Sequence, residues 1–217
     1  MRINQYVARA TSLSRRKADQ AISEGRVRIN DIAAELGSQV KPDDTVSLDG
    51  ALISLQESVS IIVHKPINVI SGREGHGHKT IYDILPKEYQ QLNIAGRLDK
   101  DSEGLLLMTN DGDFLHSLTH PSQDKTKTYT VELDTPLNST DKNAIESGVD
   151  IKDEKPSSFP VQTNPNGTYT VTLQEGRNRQ IRRTFGARGY TVTRLVRTDI
   201  GPYSLGNLAP GEYKLIK

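Results

Sequence analysis

The sequence predicts a chain of mixed α and β structure, and three observations carry that expectation. Near the N-terminus apolar residues recur at helical spacing, with Ile3, Tyr6, Val7 and Ala10 at i, i+3, i+4 and i+7. Farther on, Lys127 to Leu133 alternates so that Tyr129, Val131 and Leu133 share one face, the period of a strand. Between them, residues 105–108 are four consecutive large apolar residues bounded by turn signals, which reads as a buried strand.

The first apolar stripe makes an amphipathic helix of the opening turns. Ser14 is a good N-cap for a second helix in which Ala18, Ala21 and Ile22 face inward and Gly25 closes the end. Arg15, Arg16 and Lys17 fall in its first turn, against the macrodipole preference for acids there, so these charges point to a ligand. Alternation predicts a short strand at residues 26–30 and another at 45–48, after the turn Pro42-Asp43-Asp44. Residues 49–60 are polar and weakly periodic, which suits a linker. A strand begins at Ile61, and residues 80–85 read as a short helix stopped by Pro86. Two apolar segments, 92–98 and 105–108, flank a charged turn. Asn110-Asp111-Gly112 ends the second of them and starts a helix at Asp113. A helix at 139–148, strands at 158–163 and 168–174, and closing strands at 192–197 and 208–216 complete the pattern. Before those closing strands, Asn178 is the expected N-cap of an arginine-rich helix. The ~100° step sets Ile181 and Phe185 on its apolar face, turns Arg179 and Arg183 well away, and leaves Arg182 nearest the core side.

A chain of 217 residues can bury a sizeable core and hold a small domain beside a medium one. Net charge is only +1, yet residues 1–30 carry seven Lys or Arg against two acids, and residues 174–199 seven Arg against two acids. Patches of that kind suit phosphate-bearing partners better than a pI of 7.9 suggests. The absence of cysteine rules out disulfides, thiolate metal sites and cysteine nucleophiles. No apolar run reaches the length of a membrane span and Met1-Arg2-Ile3-Asn4 begins no signal-peptide pattern, so a soluble cytoplasmic protein is expected. No P-loop or dinucleotide fingerprint is present.

The charged turn inside residues 94–112 carries the chemistry. Asp99 stands between Arg97 and Lys100, where a carboxylate has the charge and placement of a nucleophile or general base. A strand-end salt bridge is the plainer reading of the same residue. D-K-D-S-E-G also imitates the opening of a calcium loop, but position twelve would be Asn110 where a bidentate Glu is wanted, and the flanks are strand-like. His76 and His78, with His64 farther back, lie in or near a glycine-rich loop with no carboxylate or thiolate partner close by, which favours a surface loop over a metal site.

Four blocks together resemble a known family. G-R-L-D-K-D-S-E-G-L-L-L-M-T-N-D-G, the K-x-Y of Lys127 and Tyr129, E-G-R-N-R-Q-I-R-R at 175–183, and L-V-R-T-D-I-G with P-G-E-Y near the end are similar to pseudouridine synthases of the RsuA/RluB type. Residues 3–30 resemble the small RNA-binding domain shared with ribosomal small-subunit protein four, through S-R-R-x-A-D-x-x-I-x-x-G-x-V-x-(V/I)-N. Where the pseudouridine synthase family usually has glycine, this chain has Asn68, which tolerates left-handed backbone better than most residues.

The resemblance implies an α+β fold. A helix-rich RNA-binding domain at residues 1–48 and a linker at 49–59 would precede a catalytic domain at 60–217, built on a mixed, largely antiparallel sheet. It implies site-specific isomerisation of uridine to pseudouridine in ribosomal RNA, with no cofactor and no metal. Asp99 is the expected catalytic acid, Arg182 its paired arginine, and Tyr129 the ring beside the base; a phenol, titrating near ~10, is a poor base at neutral pH. Arg2, Arg15, Arg16, Lys17, Arg97, Lys127, Arg177, Arg179 and Arg183 are the expected RNA contacts. The spellings D-K-D-S-E-G and G-R-N-R-Q-I-R-R look closer to members acting on large-subunit (23S) RNA, with small-subunit (16S) RNA as the alternative. A catalytically silent RNA-binding or ribosome-assembly factor and a calcium-binding regulator are the rival classes. A monomer is expected.

Overall fold

The computed structural model describes residues 1–11, 13–119 and 125–216. It divides into two compact units, Met1–Val59 with Thr109–Phe114, and Ser60–Met108 with Leu115–Lys217.

In the first unit the chain runs through α1 (Ile3–Ala10), α2 (Arg15–Ser23), β1 (Val27–Ile29), β2 (Ile32–Ala33), β3 (Val46–Leu48) and β4 (Ala51–Ile53). Ser14 Oγ accepts the Lys17 amide at 3.3 Å and so starts α2 as its cap. Ile3, Val7, Ala18, Ala21 and Ile22 are buried and meet Val27 and Val46 in a small core. Its sheet has the order β2-β1-β3-β4. Two hairpins account for β2 and β4. Asn30-Asp31, with φ of 50° and 64°, joins Ile29 to Ile32; Asp49-Gly50, with φ of 53° and 79°, joins Leu48 to Ala51. Positive φ at both central residues is the tight two-residue hairpin turn that Asp-Gly favours. Residues 51–53, expected in a linker, are therefore part of this sheet.

Thr109–Phe114 joins this unit through side chains. Asn110 Oδ1 accepts the Val59 amide at 2.7 Å, its Nδ2 donates to the Glu57 carbonyl at 2.8 Å, and Asp113 accepts from Gln5 at 2.9 Å. Asp111 Oδ1 accepts the amides of Asp113 and Phe114, which starts α4 (Gly112–Thr119).

The second unit holds β5 (Ser60–Lys65), α3 (Ile81–Ile84), β6 (Asn93–Ala95), β7 (Glu103–Thr109), β8 (Lys127–Leu133), α5 (Ser139–Ser147), β9 (Val161–Thr163), β10 (Tyr169–Leu173), α6 (Gln180–Gly186), β11 (Val192–Ile200), β12 (Tyr203–Ser204) and β13 (Tyr213–Leu215). The sheet order is β13-β5-β7-β11-β8-β10-β9, with β12 on β11 and β6 on β7. The β7–β11 pair is parallel, while β13–β5, β11–β8, β8–β10 and β10–β9 are antiparallel. The architecture is thus α+β with a mixed, largely antiparallel sheet. Every residue of β7 is buried, the mark of a central strand covered on both faces. In β8 Tyr129 and Val131 are buried and join Val171, Ile181 and Phe185 in the main core.

α3 begins with a capping box, Thr80 with Asp83, and Asn138 caps α5 by accepting the Asp141 amide at 2.8 Å. Gly104 permits the close approach of β7 to β11: a Cβ there would stand 2.3 Å from the Arg197 carbonyl oxygen.

Candidate active site

Asp99 lies in the loop between β6 and β7. The expected strand over 92–98 stops at Ala95, where Gly96 at φ +79° turns the chain. Leu98 is still buried, because Ser71 replaces the ladder: its Oγ accepts the Leu98 amide at 3.2 Å and donates to the Leu98 carbonyl at 3.0 Å. On the other side the Asn68 amide donates to the Lys100 carbonyl at 2.8 Å, and the Ser102 amide to that of Asp99 at 3.1 Å. Asn68 has φ +65°, the left-handed conformation for which glycine or asparagine suits best. The backbone on both sides of Asp99 is thereby fastened. Its own carboxylate, partly exposed, accepts no hydrogen bond among the described residues.

That loop lines a cavity of about 1140 Å³, whose wall also includes Tyr129, Arg97, Lys127, Arg177 and Arg179. Tyr129 is 8% exposed and ends the buried stripe of β8. Lys127 is half-buried, with Nζ 3.3 Å from the Gln174 carbonyl; burial first, and the Arg197 charge second, pull its pKa below the ordinary lysine range.

The arginine block differs from expectation in three respects. Arg179, not Asn178, is the N-cap of α6, at φ +47° and without a side-chain cap bond. Arg182 does not pair with Asp99. Its Nη1 donates to the Val192 carbonyl at 2.7 Å and its Nη2 to the Asp101 carbonyl at 2.8 Å, while Nε stands 3.5 Å from the Asp101 carboxylate. Burial draws its pKa below the usual arginine value, opposed by Asp101.

Nor do the other arginines lack acids. Arg179 grips Asp101 through two 2.8 Å bonds, Arg183 grips Asp153 at 2.7 and 2.9 Å, and Arg177 bonds Glu175 at 2.7 Å. Arg179 holds Asp101, and Arg183 holds Asp153, below the usual carboxylate range. Asp101 and Asp153 come from distant parts of the chain, which a local charge count misses.

Other expected contacts lie in the first unit. Arg2 precedes α1, and Arg15, Arg16 and Lys17 are exposed in the first turn of α2 with no acid bonded to them among the described residues. The three histidines take separate partners, and two of them do have a carboxylate near, contrary to what the sequence suggests: His64 Nδ1 stands 2.7 Å from the Leu208 carbonyl and its Nε2 3.7 Å from Glu103, His78 3.2 Å from Lys100 Nζ, and His76 4.0 Å from Glu74 of the same loop.

Four residues around the site were not singled out by sequence: Lys65, Ser71, Asp101 and Arg197. Lys65 is fully buried, donates to the carbonyls of Pro66 and Val69 at 2.8 Å each, and is pulled down to about 8 by burial against the pull of Asp101 and Asp99. Arg197, 3% exposed, donates from Nε to the Leu105 carbonyl at 2.8 Å and from Nη1 to that of Arg97 at 3.4 Å. The signals available were a lysine in an apolar strand and an arginine in a strand pattern. Ser71 had none. The arrangement presents one unbonded carboxylate and one aromatic ring in an open cavity with a cationic rim. Such a site suits chemistry on an aromatic base carried by a polyanion.

Comparison with known proteins agrees. Residues 59–187 match the family described as RNA pseudouridylate synthase, and residues 1–46 match the S4 domain. An uncharacterized RNA pseudouridine synthase of Aquifex aeolicus is 34% identical, over 99% of this chain and 89% of its own. The dual-specificity RNA pseudouridine synthase RluF of Escherichia coli K12 is 35% identical, over 99% of this chain and 74% of its own. A crystal structure of a pseudouridylate synthase superposes with a TM-score of 0.71 at 29% identity, covering 100% of this chain and 96% of that one.

Proposed function

The chain belongs to the RNA pseudouridine synthases, an isomerase family, and on that premise we propose that Asp99 carries the reaction on a uridine everted into the cavity. The observation that carries this reading is the Asp99 carboxylate, unbonded in the same cavity wall as Tyr129 while the backbone around it is fastened. A paired base hides its sugar carbon, so the nucleotide must first be unstacked at a cost of a few kcal/mol. Asp99 then acts on the ribose, by attack at C1′ or by removing the 2′ proton. As the C1′–N1 bond breaks, its electron pair stays with the uracil ring. After the base turns, C5 forms the new bond to C1′, the Asp99 ester is released or the 2′ proton is returned, and the C5 proton is lost while N1 gains one. Tyr129 packs on the base, and Arg182 acts through Asp101, bracing the loop from behind.

Phosphate contacts offset the unstacking cost. We assign them to Arg2, Arg15, Arg16 and Lys17 in an RNA-binding domain at the N-terminal end, and to Arg97, Lys127, Arg177, Arg179 and Arg183 in the catalytic domain. The substrate proposed is ribosomal RNA, large-subunit in preference, and the spelling of the Asp99 and α6 blocks supports the large subunit; with it we propose a cytoplasmic enzyme of ribosome biogenesis that acts as a monomer. Carbodiimide primer extension on rRNA from cells carrying Asp99→Asn tests the assignment. Loss of one or more pseudouridine stops is expected, and an unchanged pattern would refute it. Mapping modified uridines in a deletion strain identifies the target.

A further inference from the structure

Arg197 carries a buried positive charge that the fold does not balance. It is 3% exposed, and no carboxylate lies within ion-pair distance of it among the described residues. Two of its nitrogens are used on main-chain carbonyls, those of Leu105 and Arg97. The third, Nη2, is closed off from solvent and has no hydrogen-bond partner among the described residues. Strapping two carbonyls together needs donors but no charge, and a neutral amide could do it. An unpaired cation inside a protein is otherwise a cost without return.

Register and cavity say where that charge is aimed. Arg197 stands directly opposite Tyr129 across the antiparallel β11–β8 ladder, and directly opposed residues project to the same sheet face. Both residues line the cavity that contains Asp99. Lys127, in the same wall, has its pKa drawn below the lysine range by burial first and by the Arg197 charge second. Any ring packed on Tyr129 lies within the potential of Arg197.

We propose that Arg197 is the electrostatic partner of the base in this site: its positive charge, held in the wall beside Tyr129, stabilises the negative charge that the uracil packed on Tyr129 takes up when its C1′–N1 bond opens. The inference rests on the reading of Asp99 given above. The electron pair released from C1′ spreads over N1, O2 and O4, so a fixed positive charge beside the ring stabilises the opened state more than the neutral ground state, which is what accelerates a step. The bond then forms from C5 as before, and Arg197 neither gains nor loses a proton.

Two variants separate charge from strap: R197Q keeps amide donors and loses the charge, while R197K keeps the charge. Both are assayed under single turnover on unmodified 16S and 23S rRNA transcripts made with uridine or with 5-fluorouridine, reading C-nucleoside after digestion; on 5-fluorouridine, which has no C5 proton to lose, the product is the C-linked 5-fluoro nucleoside with water added across N1 and C6. On uridine RNA, R197Q is expected to slow conversion by about 100-fold and R197K by less than about tenfold, with RNA affinity within about threefold of wild type. Fluorine at C5 already stabilises the departing ring anion, so the R197Q defect should shrink on the fluorinated RNA. Equal losses in R197Q and R197K, an R197Q defect of the same size on both RNAs, or a loss confined to RNA affinity would each overturn the proposal. Circular dichroism checks the fold; should R197Q not fold, R197K must still convert uridine RNA within about tenfold of wild type, with a defect of the same size on the fluorinated RNA, or the idea falls. The underlying reading has its own control. Wild-type conversion that D99N abolishes leaves Arg197 to stand alone, whereas conversion unchanged in D99N, or absent in wild type, removes both.

Discussion

A methyl group at Gly104 would stand 2.3 Å from the Arg197 carbonyl oxygen, on a backbone with φ +112°. β7 and β11 pair in parallel at that point, so relief requires the two strands to part. Gly104→Ala is expected to lower stability by about 2–3 kcal/mol in urea unfolding with an unchanged m-value, the scale of overpacking in a close-packed core. Lys65 makes a prediction of opposite character. Its folded value of about 8 lies below the ordinary 10.5, so between these pH values the unfolded chain holds more protons than the native one. Stability contributed by this residue therefore rises with pH across that window, and the full cost of burying the charge is present below it. Compared with Lys65→Met, the wild type should gain up to about 3 kcal/mol of unfolding free energy between about pH 7.5 and 10.5, and a flat difference would contradict the assignment. Asp99 and Tyr129 were legible because each sits in a local motif. Lys65, Ser71 and Arg197 were not, since their partners are main-chain groups that carry no sequence signal: the neighbouring carbonyls of Pro66 and Val69 for Lys65, and the distant Leu98, and Leu105 with Arg97, for the other two.

Two basic elements look alike in sequence and differ in structure. The first turn of α2 carries Arg15, Arg16 and Lys17 exposed and without bonded acids among the described residues. Around the start of α6, Arg179 and Arg183 are each held by two bonds to an aspartate. If RNA binds at α2 as proposed, it releases counterions; at α6 it would first have to displace or tolerate a carboxylate. Arg16→Gln is thus expected to reduce the salt slope of RNA binding by about 0.9, and Arg183→Gln by clearly less, as read from filter-binding titrations over a range of salt. Equal slopes would place Arg183 directly on phosphate. Sequence located both helices from apolar spacing, and it found α2's cap. It misplaced the cap of α6 because Asn178 is a favoured cap type, whereas the observed Arg179 takes the left-handed conformation without any side-chain bond. The hairpin that adds β4 was legible in principle, from Asp49-Gly50, but three short residues of strand carry too little alternation to stand out from a linker.

The two cores share no residue, one built on Ile3, Val7, Ile22 and Val46 and the other on Val131, Val171, Ile181 and Phe185. Separate cores let separate tasks be cut apart, provided the cut respects the bonds that cross the obvious boundary. Asn110 holds both the Glu57 carbonyl and the Val59 amide, so a chain beginning at Ser60 would leave its side chain without those partners. A chain beginning at Glu57 retains both bonds and every residue of the cavity wall, and it loses Arg2, Arg15, Arg16 and Lys17. If the N-terminal residues supply affinity and the cavity supplies chemistry, this truncation should weaken RNA binding by roughly 100-fold or more at physiological salt, as several lost phosphate contacts require. The single-turnover rate at saturating enzyme should stay within about threefold of the full chain, because uniform binding lost from a remote part raises the half-saturation point and spares the chemical step. A rate that falls with affinity, even at saturation, would mean that binding energy from the N-terminal residues is spent on everting the uridine. The division of labour between the two units would then be wrong as stated, while the assignment of Asp99 would be untouched.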